Sequence, residues 1–284
     1  MIEVREFPNQ QFETKEALFE ALKANKKTLI ATKKATEKRA DSVSYGYIET
    51  VSKNAVNKSP DNMPSTDLNT LNVKVVINTT NFLDSHGDVH VNGIWSKSVN
   101  DNANKGFLHL QEHERDFDKV ISDNAKGYVQ SMTWKQLGLP YDGKTEALIF
   151  ESTIEKKRNE FMLNQYANGW VKNHSVGMRY VQLELAINTE AEYDKDYKAL
   201  WDEYYPIIAN KEVADERGYF WVVKEAKIIE GSAVVMGSNS ATPTLENKQE
   251  PTDVTLDTVE PSNDTQKQAD EKAQELLKQL LNKF

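Results

Sequence analysis

Between Leu71 and Gly237 the chain returns repeatedly to runs of β-branched and aromatic residues bounded by turn formers. They lack the regular strand-helix alternation of a Rossmann-type parallel sheet. "LNVKVVINTT" (Leu71 to Thr80), "KGYVQSMTWK", "TEALIFESTI" and "WVKNHSVGMRYVQLELAI" each predict a strand, and "GYFWVVKEAKIIEGSAVVMG" predicts a final strand pair. Two stretches interrupt them with helical spacing. "IEKKRNEFMLNQYANG" places Phe161, Met162, Gln165 and Tyr166 on a helix that stops at Asn168-Gly169. "NTEAEYDKDYKALWDEYYP" puts Tyr193, Tyr197, Leu200, Trp201 and Tyr204 on one face before Pro206 ends the run. The pattern is that of an α+β domain.

The flanks have a different character. Thr14 is placed as the N-cap of a helix whose apolar stripe is Leu18, Phe19, Ala21 and Leu22. Lys23 to Arg39 is strongly basic and reads as a solvated helix face or arm. Ser52 to Asn72, rich in Ser, Asn and Pro, reads as a linker. After "SNSATPT" the chain turns acidic, then recovers an apolar stripe through Ala269, Ala273, Leu276, Leu277, Leu280, Leu281 and Phe284. The expected organisation is a basic helical arm and linker (1–66), a domain (67–245) with a helical insertion (189–218), a disordered acidic linker (246–265) and a terminal amphipathic helix (266–284). That last helix reads as a docking or assembly element, or as one that folds back on its own core.

Composition narrows the chemistry. The 284 residues include no cysteine, which removes thiolate nucleophiles, disulfides and cysteine zinc sites. A net charge of -9 argues against nucleic acid as the main partner. No segment has the length and apolarity of a membrane span, and the N-terminus lacks a secretory pattern, so a cytoplasmic protein is expected.

With five histidines, each can be weighed as a general base. "LHLQEHERDFDKV" holds His109 and His113, and on an extended chain both would point to the same side. "DSHGDVH" offers Asp84, His86, Asp88 and His90, which would share one face of a straight strand and could hold a divalent metal. Gly87 beside Ser85 and Asp88 is turn chemistry and works against that shared face. "NHSVGMRY" places Ser175 two residues before Gly177, the setting of a serine nucleophile approached closely by substrate. The adjacent His174 points to the opposite face of a strand, so the base for Ser175 has to come from elsewhere.

The order of four elements resembles the prohead serine proteases of tailed phages, the capsid maturation proteases of the HK97-like type. Asp84, Gly87, Asp88 and Gly93 with "IWSKSV" match the first, and "QEHERD" the second, with Glu112 and Glu114 where the family often has Asn and Asp. Ser175, Val176, Gly177 and Met178 match the third, and Glu230, Ser232, Val234 and "NSATP" the fourth. The resemblance spans roughly residues 70 to 245 and implies a herpesvirus-assemblin-like, mostly antiparallel β-barrel core with surrounding helices.

It also implies His113 as base, Ser175 as nucleophile and Glu230 as the residue orienting the imidazole, with Val176, Gly177 and Ser232 near the oxyanion and substrate. His109 is the fallback base. No cofactor or metal is implied. The implied activity is endopeptidase cleavage, inside a procapsid in the host cytoplasm, of the scaffold, of the scaffolding segment of the major capsid protein and of the protease itself. The 189–218 insertion, a departure from the family, reads as a lid, a substrate wall or a self-association surface that would make a homo-oligomer. Two other readings stay open: a catalytically inactive scaffold-like assembly protein, and a metal-dependent hydrolase built on Asp84, His86, Asp88 and His90.

Overall fold

The computed structural model describes residues 1–38 and 68–248. The acidic stretch beyond 248 and the terminal helix expected at 266–284 lie outside the described residues, as does most of the Ser/Asn/Pro-rich linker. In chain order the strands are β1 (Ile2–Glu3), β2 (Gln11–Phe12), β3 (Thr70–Thr79), β4 (Asp88–His90), β5 (Phe107–Gln111), β6 (Val120–Thr133), β7 (Lys144–Glu155), β8 (Asn173–Ile187), β9 (Tyr219–Val234) and β10 (Thr244–Lys248). The helices are α1 (Lys15–Ala24), α2 (Lys26–Ala35), α3 (Ser96–Asp101), α4 (Lys156–Ala167), α5 (Lys195–Tyr204) and α6 (Lys211–Arg217).

Eight strands form one sheet in the order β10-β3-β7-β6-β5-β9-β4, and β8 lies along β9. The ladders are antiparallel except for β4 and β5, which both run parallel to β9. The mixed α+β class expected from the patterning holds, but the sheet is not closed into a barrel. One apolar cluster instead joins Val73 and Val75 of β3, Val176 and Met178 of β8, Leu18 and Leu22 of α1, and Met162 and Tyr166 of α4. Side-chain packing across a curled sheet therefore does the work that a closing ladder would do.

Three expectations change. The final strand pair is one continuous 16-residue strand, β9. The polar "KEAK" inside it stays paired with β8 through local register shifts near Tyr180 and Gln182. β10 carries the described chain past the expected domain end at 245 and pairs with β3. The N-terminal segment is also part of the same compact unit as the strands. Thr14 caps α1 by accepting from the Ala17 amide at 3.2 Å, and the helix buries Leu18, Phe19 and Leu22 in the main core. Leu29 and Lys33, seven and eleven residues after Leu22, continue the same helical stripe in α2, so its basic run presents one lysine inward rather than only a solvated face.

The insertion forms the far end of the β8–β9 hairpin. Ile187 pairs with Tyr219 there, while Ser175 pairs with Ser232 at the other end. Twelve residues of strand separate the two ends, roughly 40 Å along the strand. Trp201 and Ala214 of α5 and α6 pack with Leu83, Val89, Phe220 and Val222 in a separate apolar cluster. A lid or substrate wall over Ser175 is thus out of reach for these helices.

Candidate active site

β8, β9 and β5 bring the predicted residues together. Ser175 stands opposite Ser232 and Gly177 opposite Glu230 in the β8–β9 ladder, and Leu108 and Leu110 of β5 flank Glu230 and Ser232 on the other side. Paired residues share a face. Ser175, Gly177, Glu230 and Ser232 therefore project from the side of the sheet opposite Val176, Met178 and Tyr180, which enter the core.

His113 reaches this face through an unusual backbone. β5 ends at Gln111, and the next two residues adopt left-handed conformations, Glu112 at φ 51° and His113 at φ 60°. Such residues cost on the order of 1–3 kcal/mol each where neither is glycine. The strain is held by hydrogen bonds: the Glu112 amide donates to the Ala233 carbonyl at 2.9 Å, and Glu112 Oε1 accepts from the Val235 amide at 2.7 Å. The two residues turn the chain so that His113 Nδ1 lies 2.6 Å from Glu230 Oε1. A carboxylate only accepts, so Nδ1 carries the proton and Nε2 is the basic nitrogen.

Glu230 is fixed on its other oxygen. Ser232 Oγ donates to Oε2 at 2.5 Å and accepts from the His113 amide at 3.2 Å. Both capacities of that hydroxyl are spent on holding the pair, whereas no hydrogen bond to the Ser175 hydroxyl is found among the described residues. Ser232 is thus a support for Glu230 and His113, a tie the Ser175 hydroxyl does not share.

Gly177 has a reason the sequence did not suggest. A Cβ built there would stand 1.8 Å from Glu230 Oε1, so the missing side chain is the space the carboxylate fills. Gly231 plays the matching part beneath the sheet, where a Cβ would meet Phe150 at 2.6 Å. Backbone direction also reassigns the candidate oxyanion donors. Met178 exchanges both backbone bonds with Lys38 at the outer edge of β8, and strand alternation then turns the Val176 N–H outward and the Ser175 and Gly177 N–H groups toward β9. Of Ser175, Val176 and Gly177, Val176 is therefore the one whose amide faces away from β9.

His109 is not the fallback base. It lies on the core face with Phe107, and the left-handed pair after Gln111 breaks the parity that would have put it beside His113. Its Nδ1 meets Ser152 Oγ at 3.0 Å and its Nε2 meets Tyr166 Oη at 3.1 Å. Tyr166 Oη also meets His174 Nε2 at 2.9 Å, and His174 Nδ1 meets the Thr242 carbonyl at 3.0 Å. The carbonyl forces His174 to carry its proton on Nδ1. Tyr166 then donates to His174 Nε2, His109 donates from Nε2 to Tyr166, and Ser152 donates to His109 Nδ1. Burial pushes His109 down to about 3, helped by His174, and pushes His174 down to about 4 against its bond to Thr242. This neutral relay ties β5, β7, α4 and β8 together under the site, and nothing in the sequence pattern marked Tyr166 as more than core.

The Asp84–Asp88 segment is a turn, as Gly87 suggested. Asp84 Oδ1 accepts from the amides of His86 and Asp88, each at 2.9 Å, and Gly87 has φ 74°. Asp84, His86 and Asp88 have ligand atoms within 4.8 Å of one another, and Asp84 Oδ2 is buried with no hydrogen-bond partner. His90 is drawn away, with its ring nitrogens at 3.0 Å from Asn78 Oδ1 and 3.2 Å from Tyr180 Oη.

The cation at this turn is a side chain. Lys33 Nζ of α2 lies 2.5 Å from Asp88 Oδ1, and Tyr180 donates to Asp88 Oδ2 at 2.7 Å. Burial opposes ionisation of Asp88, but the Lys33 and Lys38 ammonium groups overcome it and hold its carboxyl down to about 2. Burial and the neighbouring Asp88 push Asp84 up. With both Asp88 oxygens engaged, a metal would have to expel Lys33, so the turn reads as a strut that docks α2.

No family model, curated protein or solved structure matches this chain. Among the described residues, no helix is long and apolar enough to cross a membrane.

Proposed function

We propose that the chain is a serine endopeptidase of the prohead maturation type, with Ser175 as nucleophile, His113 as base and Glu230 as the orienting carboxylate. The observation that carries the reading is the buried 2.6 Å contact between His113 Nδ1 and Glu230 Oε1, on the face where Ser175 lies directly across the ladder from Ser232. Antiparallel partners stand about 4.5–5.5 Å apart at Cα. The Ser232 hydroxyl accepts from the His113 amide, so Ser175 and His113 share Ser232 as a neighbour, which supports pairing them as nucleophile and base.

In the proposed reaction Ser175 Oγ bonds to the scissile carbonyl carbon while its proton passes to His113 Nε2. The negative charge gathers on the carbonyl oxygen, with the outward amide of Val176 as a donor. Collapse breaks the C–N bond, and His113 returns the proton to the leaving amine. Water, deprotonated by the same nitrogen, then releases the acyl group and restores Ser175. Glu230 keeps the ring in the tautomer with its proton on Nδ1 and stabilises the imidazolium that forms.

The substrate class follows from the resemblance: the scaffold, the scaffolding segment of the major capsid protein, and the protease itself, processed within an assembling procapsid. Co-expression with the neighbouring capsid protein tests it. Processed fragments are expected from the wild-type chain and not from Ser175→Ala or His113→Ala; identical processing in all three would reject the reading.

A further inference from the structure

β8 is an edge strand: one side pairs with β9 along its length, and the other meets the N-terminal segment at Lys38 and the Thr242 hydroxyl at His174. The Lys38 amide donates to the Met178 carbonyl at 2.8 Å, and the Met178 amide donates to the Lys38 carbonyl at 3.1 Å. This is a complete antiparallel exchange, the way an extended peptide adds to a sheet edge. The pairing is antiparallel, and Met178 lies three residues from Ser175 along β8. Two ties fasten the segment: Lys33 on Asp88 at one end, and an ion pair between Glu37 and Arg115, two residues past His113, at the other.

We infer that the outer edge of β8 is the rail on which an extended polypeptide docks, and that Thr36 to Lys38 is an intramolecular strap competing for it. The inference rests on the proposed endopeptidase and names how its substrate is held. The backbone groups of Val176 and Met178 that face outward are the ones a docking strand would use, and Lys38 already holds those of Met178. A polypeptide pairing along this edge has to displace the strap first. Main-chain pairing supplies affinity with little demand on sequence, which suits an enzyme working at several sites in different proteins.

The test uses the full chain carrying Ser175→Ala, so that binding is measured apart from cleavage. The probe is a fluorescent synthetic peptide with the sequence of residues 34 to 44. Lys38→Pro removes the strap's amide donor while keeping extended backbone. Losing one backbone bond from the competitor should tighten peptide binding about fivefold. Glu37→Gln, which removes the second tie without touching the backbone, should tighten it in the same direction and covers the case in which the proline variant folds poorly. Equal affinity for the parent and for whichever of these variants fold, or no binding to any of them, overturns the rail. Tightened binding by a chain whose Ser175 form cleaves nothing would keep the rail and remove the protease.

Discussion

The side chain that Gly177 lacks is replaced in space by the carboxylate of Glu230: a Cβ on residue 177 would sit 1.8 Å from Oε1. The same oxygen bonds His113, so a methyl group on one strand is transmitted to the imidazole through a residue on the next.

Gly177→Ala should therefore disable the site while largely preserving the fold. Forcing the carboxylate aside costs about 1–3 kcal/mol of stability. The larger effect is loss of the ring's orienting partner, expected to lower kcat by at least about a hundredfold. Steady-state kinetics beside a thermal melt separates the two, and a variant with unaltered kcat would contradict the arrangement.

Ser232→Ala probes the support rather than the nucleophile. It removes a donor to Glu230 Oε2 and an acceptor for the His113 amide, both buried. An activity loss of about tenfold is expected, with a stability cost of about 1–3 kcal/mol for the groups left unsatisfied. Labelling by a fluorophosphonate should persist on Ser175 in this variant; disappearance of the label from Ser232→Ala but not from Ser175→Ala would exchange the two roles.

The His109–Tyr166–His174 relay predicts an acid-sensitive core. In the unfolded chain both rings take up a proton near pH 6.5, whereas in the fold they resist until about 3 and about 4. Between those limits the unfolded chain binds more protons, so stability falls as pH drops below about 6.5, and the loss is complete near 3. Nitrogen-15 spectra at pH 6 should show His174 protonated on Nδ1 alone and His109 on Nε2 alone. Opposite tautomers, or an imidazolium at either position, would refute the relay.

Lys33 carries a structural charge. Lys33→Met leaves Asp88 buried beside Asp84 without its closest cation, a loss of about 3–5 kcal/mol for breaking one side of a buried pair. Chemical denaturation should show it at neutral pH, and the deficit should shrink as the pH falls and Asp88 takes up a proton. A chelator should leave peptide hydrolysis unchanged, because the proposed chemistry uses no metal.

The sequence made the sheet strands legible because β-branched runs and their turn residues are local signals. Ser175, Gly177, Glu230 and Ser232 could be placed on shared faces by period-two counting alone. What escaped were relationships with no local signature. The left-handed pair at Glu112 and His113 carries neither glycine nor asparagine, so nothing announced that His113 would leave the parity of His109. Lys33 was read within a charge run, although its position eleven residues after Leu22 marks the buried stripe. The role of Gly177 depends on a carboxylate more than fifty residues away, and the open sheet depends on side chains from α1 and α4 meeting β3 and β8.

The two ends of the β8–β9 hairpin differ in character. Its Ser175 end depends on a few ångströms between four side chains, while its other end reverses direction and carries α5 and α6, which pack in their own apolar cluster. Cargo spliced between Ile187 and Tyr219, whether a fluorescent reporter or an affinity handle, would ride some forty ångströms from the reacting bond.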